Sequence, residues 1–260
     1  MTRPPRNDAE LLCERCGYCV EGLPAGAKCP ECARPVADSL PHARPGSPWQ
    51  IDPSAASWFA TNWATLSRPA ATMRTARIDS RSSRRLLIIN CFAAAAPYGV
   101  LAGLFTLMGI LRTEVLLWDD ETHLANFALG ALYVYLALFG VWAAHWIPLL
   151  VLLLLIAVAL RAIGRLRGWR VTLPVAITIT AHASAAAFLL PFLFVTGMTL
   201  CFLTAIVLGE VGLFLGSFVE MLGFTVVAAL PSLCVLVVFF RTGLRECRYA
   251  NPSRPYDPPS

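Results

Sequence analysis

Residues 124–160 read LANFALGALYVYLALFGVWAAHWIPLLVLLLLIAVAL, 37 residues without one Asp, Glu, Lys or Arg. Asn126 and His145 are the strongest polar groups in the run. About 20 apolar residues cross the roughly 30 Å hydrocarbon core of a bilayer. At about 1.5 Å per residue this run would be about 55 Å long as one helix. A soluble domain of 260 residues has no interior that could hide it, so the sequence reads as a membrane protein.

Working outward, the charges sort into blocks. The chain is 57% hydrophobic and 14% charged, against about 25% charged in ordinary soluble domains. It is polar to Arg85, apolar to Phe240, then polar and Pro-rich to Ser260. Residues 86–111 are uncharged, 112–123 hold Asp119, Asp120, Glu121 and His123, and 171–240 carry only Glu210 and Glu220. Arginines gather at 81–85, 161–170 and 241–248. Basic residues in short loops mark the cytoplasmic side, so an even number of crossings separates each consecutive pair of clusters. The fold class expected is an all-α integral membrane helical bundle, preceded by a small four-cysteine zinc ribbon. It has four spans, 86–111, 124–160 and two within 171–240, in the cell inner membrane with both termini cytoplasmic. Five spans, using 172–195, 197–217 and 220–241, are the alternative and would put the C-terminus outside.

No apolar run typical of a secretory signal lies in the first 50 residues, which are Pro- and Arg-rich. Five of nine cysteines fall between 13 and 32, in CERCGYCVEGLPAGAKCPEC. Clustered pairs on the reducing side of a membrane suggest a metal site rather than disulfides. Cys13/Cys16 and Cys29/Cys32 are Cys-x-x-Cys knuckles joined by a loop containing Gly22, Pro24 and Gly26. Four such thiolates surround one Zn²⁺ at about 2.3 Å and leave no open position, so the zinc is structural. Iron in the same ligand set and a metal-free loop are the alternatives. Gly17 suits the positive-φ turn after the first pair; Ala33 suits the second turn less well, and Cys19 is read as a fifth, non-ligating thiol.

Residues 1–12 are expected to be a disordered tail and 13–36 the ribbon. Residues 37–53 read as an extended Pro-rich linker in which His42 is solvated, 54–85 as amphipathic interfacial helices, 86–241 as the transmembrane bundle and 242–260 as a cytoplasmic tail. In the interfacial part, Asp52 or Ser54 can cap a first helix, Pro69 can open a second, and Asp79-Ser80 can cap a third. Phe59, Trp63 and Leu66 recur at helical spacing with Trp58 beside them. Such a helix either lies along the bilayer surface with its rings at headgroup level or packs on the chain's own bundle.

Ionisable residues inside the membrane are the place to seek chemistry, here His145, His182, Glu210 and Glu220. They could bind a metal or relay protons, but no HExxH pair or GxSxG elbow accompanies them. A neutral His bonded to a neighbouring helix's backbone or to Thr is the more ordinary use. The acidic loop reads as solvated rather than cation-binding. Gly99-x-x-x-Gly103 and Gly212-x-x-x-Gly216 allow close helix approach. Pro97, Pro148, Pro174, Pro191 and Pro231 mark kinks or span boundaries.

The combination of Cys13, Cys16, Gly17, Tyr18, Gly22, Leu23, Pro24, Cys29, Pro30 and Cys32 with a polytopic domain resembles bacterial membrane proteins bearing an N-terminal zinc ribbon. Their pattern is CxxCGY, a GLP-like loop and CPxCG, from which Cys19 and Ala33 depart without removing a ligand. The entry from Trp58 through Pro69 and Met73 resembles Yip-type domains. That likeness implies a handful of spans, often five, links in eukaryotes to vesicle traffic and small-GTPase partners, and no catalytic residues.

The function expected is therefore a non-enzymatic membrane anchor or organiser whose cytosolic ribbon docks an unidentified protein; a homo-oligomer stays open. The alternatives are a transporter or intramembrane enzyme using His145, His182, Glu210 and Glu220, and a membrane-tethered nucleic-acid-binding regulator. Against the last, 20 of the 21 basic residues are arginines spread over several segments. The ribbon itself sets Arg15, Lys28 and Arg34 against Glu14, Glu21 and Glu31, not the concentrated basic face that nucleic acid requires.

Overall fold

Short polar residues start the helices where capping chemistry places them. The Ser54 hydroxyl accepts from the Ser57 amide at 3.3 Å and opens α2 (Ala55–Ser67). Pro69 is the first residue of α3 (Pro69–Thr75). Both carboxylate oxygens of Asp79 accept first-turn amides, from Arg81 at 2.9 Å and Ser82 at 3.1 Å, at the start of α4 (Ser80–Leu116). The central apolar run forms one helix, α5 (His123–Leu166). Gly168, at φ +69°, ends it: its amide bonds Arg165 O and that of Trp169 bonds Gly164 O. These are the two bonds of a Schellman cap, set among the arginines of 161–170. The described residues also form a four-residue α1 (Pro48–Ile51), α6 (Leu173–Ala183), a 3₁₀ extension (Ser184–Phe188) and α7 (Phe218–Cys247). The computed structural model describes residues 10–116, 123–189 and 218–252, among which there is no strand beyond two isolated bridges.

Among the described residues two helices, Ser80–Leu104 and Leu129–Leu166, are long and apolar enough to cross a membrane, rather than the four or five expected. In the second only 22% of the most apolar window is buried, the reverse of a soluble protein's core helix. The expected span 172–195 differs in kind. Residues 173–188 form a short apolar helix, and everything from Val175 to Ala183 is buried. An all-round apolar helix belongs inside a protein rather than against solvent. Residues 190–217, with Pro191, Cys201, Glu210, Gly212 and Gly216, lie outside the described residues, as do the side chains of the acidic loop and of Glu220.

The chain divides into two units. One takes the described parts of 1–90, 152–186 and 234–260. Its core packs Met73 and Ile78 with Ala157 and Leu160 of α5, Val175, Ala176 and Ile179 of α6, and Leu244 and Cys247 of α7. The other takes 91–151 and 187–233. There α4 and α5 run antiparallel, Phe92 meeting Trp142 and Trp146 edge-on and Tyr98 stacking on His145 at 4.5 Å. The Gly99-x-x-x-Gly103 spacing is used at this crossing. A Cβ on Gly99 would stand 2.6 Å from Leu138 O, and one on Gly103 would stand 3.1 Å from Leu138 Cδ1. A carbonyl of a helix cannot step aside. Gly99→Ala is thus expected to destabilise the detergent-purified protein by about 1–3 kcal/mol, read as a lower thermal midpoint. Gly140→Ala, where a Cβ would meet nothing within 4 Å, is the neutral control.

The Pro-rich stretch after the ribbon is not the extended linker expected. Its prolines initiate turns: 3₁₀ turns at Val36–Ser39 and Pro41–Ala43, then α1 behind Ser47. Arg44, Ser47 and Trp49 are buried, while His42 is exposed as expected. The ring nitrogen of Trp49 donates to Ser82 O and its amide to the Thr61 hydroxyl. Groups outside the stretch, both side-chain and backbone, supply the partners that fix it.

Candidate metal centre

The ribbon is two copies of one backbone motif, offset by 16 residues. Gly17 N donates to Cys13 O at 2.8 Å and Ala33 N to Cys29 O at 2.9 Å. Cys13 N donates to Tyr18 O and Cys29 N to Arg34 O, both at 2.8 Å. Val20 N reaches Leu11 O and Val36 N reaches Ala27 O, both at 2.9 Å. The isolated bridges Leu12–Cys19 and Lys28–Pro35 keep the same register. Each knuckle turns at a left-handed residue, Gly17 at φ +76° and Ala33 at φ +59°. Ala33 is the one non-glycine with positive φ among the described residues, so the second turn carries the strain that glycine avoids.

This pairing points four sulfurs at one point. The thiols of Cys13, Cys16, Cys29 and Cys32 all lie within 4.8 Å of one another. Cys13 Sγ stands 3.5 Å from Cys32 Sγ, and Cys16 Sγ 3.6 Å from Cys29 Sγ. Thiolates at about 2.3 Å around a tetrahedral ion would be about 3.8 Å apart, so the set fits a metal ion. Cys19 occupies the repeat position of Pro35, is exposed, and is not part of the cluster. Val20 and Val36, equivalent in the repeat, are buried with Cys13 and Cys29 and form the small apolar floor of the knob. Spacing alone did not single them out; the repeat of Cys-x-x-Cys-x-x-x-Val in both halves is the signal that does.

The clustered thiols differ in their electrostatics. Burial raises the Cys13 thiol, but the amides of Cys16 and Arg15 and the thiols of Cys32 and Cys16 outweigh it and hold it down to about 7. Burial pushes Cys16 up, and with its sulfur neighbours carries it to about 12. Burial raises Cys32 too. Cys13 is thus lowered while Cys16 and Cys32 are raised; a divalent ion bound to the set would favour the thiolate form of its ligands.

The knob is fastened to helix ends of its own unit. Glu14, between two ligands, receives Arg44 Nε at 3.1 and 3.2 Å and Arg44 Nη2 at 3.0 Å. Their side chains are 9% and 5% exposed. Arg44 Nη1 also donates to Met73 O at 2.8 Å, to Ala76 O at 3.2 Å and to Cys247 Sγ. The Asn251 amide clasps the Leu12 backbone, accepting from its N–H at 3.1 Å and donating to its carbonyl at 2.8 Å, and donates to Ser39 O at 2.7 Å. Arg170 donates to Glu10 O, and Arg248 to Arg15 O. None of these partners was expected from the sequence, because each contact joins residues more than 25 apart in the chain.

Of the four ionisable residues singled out in the apolar segments, the structure describes the side chains of two, His145 and His182. His182 is buried in α6, and its Nδ1 pairs with Thr178 O at 2.9 Å. His145 is exposed on α5 and pairs with Val141 O at 2.7 Å. Both bond a carbonyl one turn earlier on their own helix, not a neighbouring helix. Among the described residues, the four ribbon cysteines are the only group of three or more potential ligands close enough to share an ion. No family model matches the chain, and no curated protein or solved structure matches it either.

Proposed function

We propose that the chain is a non-enzymatic integral membrane protein whose structural zinc ribbon caps the cytosolic ends of its helices and presents its outer face to a cytosolic protein. The observation that carries this reading is the buried Glu14–Arg44 pair, which fixes the ribbon to the ends of α3 and α7 instead of leaving it on a tether. A module held this way can organise a partner at a set height above the bilayer. Tyr18 and Leu23, exposed on the ribbon, belong to the CGY and GLP elements behind the resemblance to ribbon-bearing bacterial membrane proteins; the Yip-like likeness is kept as part of the same proposal. Four spans with both termini cytosolic in the inner membrane remain the proposed topology, since the arginines of 81–85, 161–170 and 241–248 then share one side. Zinc is the proposed ion because four thiolates match its closed, redox-silent tetrahedral site.

Two measurements test this. The purified full chain should contain one zinc, lost in Cys13→Ser plus Cys16→Ser and kept in Cys19→Ser; equal metal in all three would refute the ligand set. In intact cells, a membrane-impermeant maleimide should leave Cys19 unlabelled until the inner membrane is opened, with Cys19→Ser as the blank. Labelling from outside would invert the topology and end the docking reading.

A further inference from the structure

Helix α2 is built inside out. Its 13 residues contain no charge, and the residues it buries are Thr61, Asn62 and Thr65. Phe59 and Trp63, one turn apart, stand outward at 67% and 73% exposure, with the exposed Ala56 and Ala60 beside them. A helix on a water-soluble surface has the opposite arrangement, apolar within and charged without. Thr61 accepts from Trp49 N, Thr65 donates to Thr61 O, and Asn62 is paired with α4. Asn90, fully buried, accepts from Trp58 Nε1 at 2.7 Å and from Asn62 Nδ2 at 3.1 Å, and donates to Asn62 Oδ1 at 3.0 Å and to Ser184 Oγ at 2.9 Å. Leu66 turns the other way and packs with Ala183, Ala186 and Phe239.

Asn90 also sets the depth. It lies in the apolar helix Ser80–Leu104, five residues beyond Arg85; Arg81, Arg84 and Arg85 are exposed on the first turns of that helix. Five residues of helix are about 7.5 Å. With the arginines at headgroup level, Asn62 and its neighbour Trp63 sit about that far inside, within the roughly 5–10 Å at which interfacial helices lie. Ile88 and Ile89, next to Asn90 in sequence, are exposed on α4 as well.

We propose that α2 is a membrane-inserted helix whose Phe59–Trp63 edge contacts lipid at the boundary between headgroups and acyl chains of the cytosolic leaflet, while its polar edge is held by Asn90. The two options open at the sequence level, a surface helix and a helix packed on its own bundle, then describe the two sides of one element. The proposal rests on the membrane reading above, and the test separates the two.

The full chain is reconstituted in vesicles of phosphatidylethanolamine and phosphatidylglycerol with p-benzoylphenylalanine at one position: Phe59, Trp63, Ile88 or Arg74. After irradiation, adducts are identified by mass. Lipid adducts are expected at 59, 63 and 88 and none at 74, which lies exposed at the end of α3 facing Glu246. Lipid at 88 with none at 59 and 63 overturns the proposal and leaves the membrane reading standing. Chain-to-chain adducts at 59 and 63 overturn it in favour of an interface between copies. No lipid at 88 either brings down both. Two positions on α2 guard against one variant that fails to fold, and retention of zinc in each variant shows that the fold survives.

Discussion

Arg44→Met is expected to destabilise the protein by about 3–5 kcal/mol, the cost of leaving one member of a buried ion pair without the other. The substitution removes three bonds to Glu14 and strips the Met73 and Ala76 carbonyls of a donor they share. The Glu14 carboxylate would keep the backbone N–H of Asn251 at 3.3 Å. Measured by thermal or denaturant unfolding in detergent, the loss should be largely insensitive to salt, because counterions screen buried charges weakly. It should also be flat from neutral to moderately alkaline pH. Burial works to lower the Arg44 pKa, but Cys247 and Glu14 raise it more, so it lies above its ordinary value. A raised folded value gives stability that is complete below the unfolded pKa and is lost only above it, beyond the working range. Arg44→Met with Glu14→Leu should recover much of the loss, since an apolar pair of similar volume avoids desolvating either charge. A single Arg44→Met variant as stable as the parent would show that the ribbon does not depend on this contact.

How much of this was legible beforehand follows from the range of the interactions. The knuckles at Cys13/Cys16 and Cys29/Cys32, the caps at Ser54 and Asp79, and the helix start at Pro69 all depend on residues within a turn or two, and each appears as expected. Ala33, flagged as a poor turn residue, does sit at positive φ. The close crossing at Gly99 was legible as a spacing, although Leu138 as its partner was not. What failed was everything decided by distant residues. Composition made 37–53 look like a linker, because the partners that order it, Glu14, Thr61, Ser82 and Cys247, lie elsewhere in the chain. Hydropathy made 172–195 look like a span, because an apolar helix buried in protein and one facing lipid have the same composition. Helical spacing grouped Phe59, Trp63 and Leu66 on one face; the structure turns Leu66 inward and the two aromatics outward, since Asn62 has to reach Asn90.

Stripping the metal from the full chain is expected to remove hydrogen-exchange protection not only from residues 10–36 but also from 248–251, while the buried residues Leu86, Asn90 and Ile179 keep theirs. The ribbon's apolar floor is four side chains, two of them ligands. Structural zinc in comparable small modules is worth about 10–16 kcal/mol at neutral pH, as large as the whole stability of an ordinary domain at about 5–15 kcal/mol. Without the ion, the four thiols give nothing in return for the order of two knuckles, one strained at Ala33. Leu12, Glu14 and Arg15 belong to the first knuckle, and they are the groups that hold Asn251 and Arg248. Their release propagates to the end of α7 through those bonds and to Ser39 and Arg44 through Glu14, but not into the core around α6, which is built from Val175, Ile179, Leu160 and Met73. Zinc added back should restore both segments together at one ion per chain. Protection that persists at 10–36 in the stripped protein would mean that the docking contacts alone hold the ribbon. Loss at 10–36 with 248–251 unchanged would mean that Asn251 is held by Arg170 and not by the knuckle.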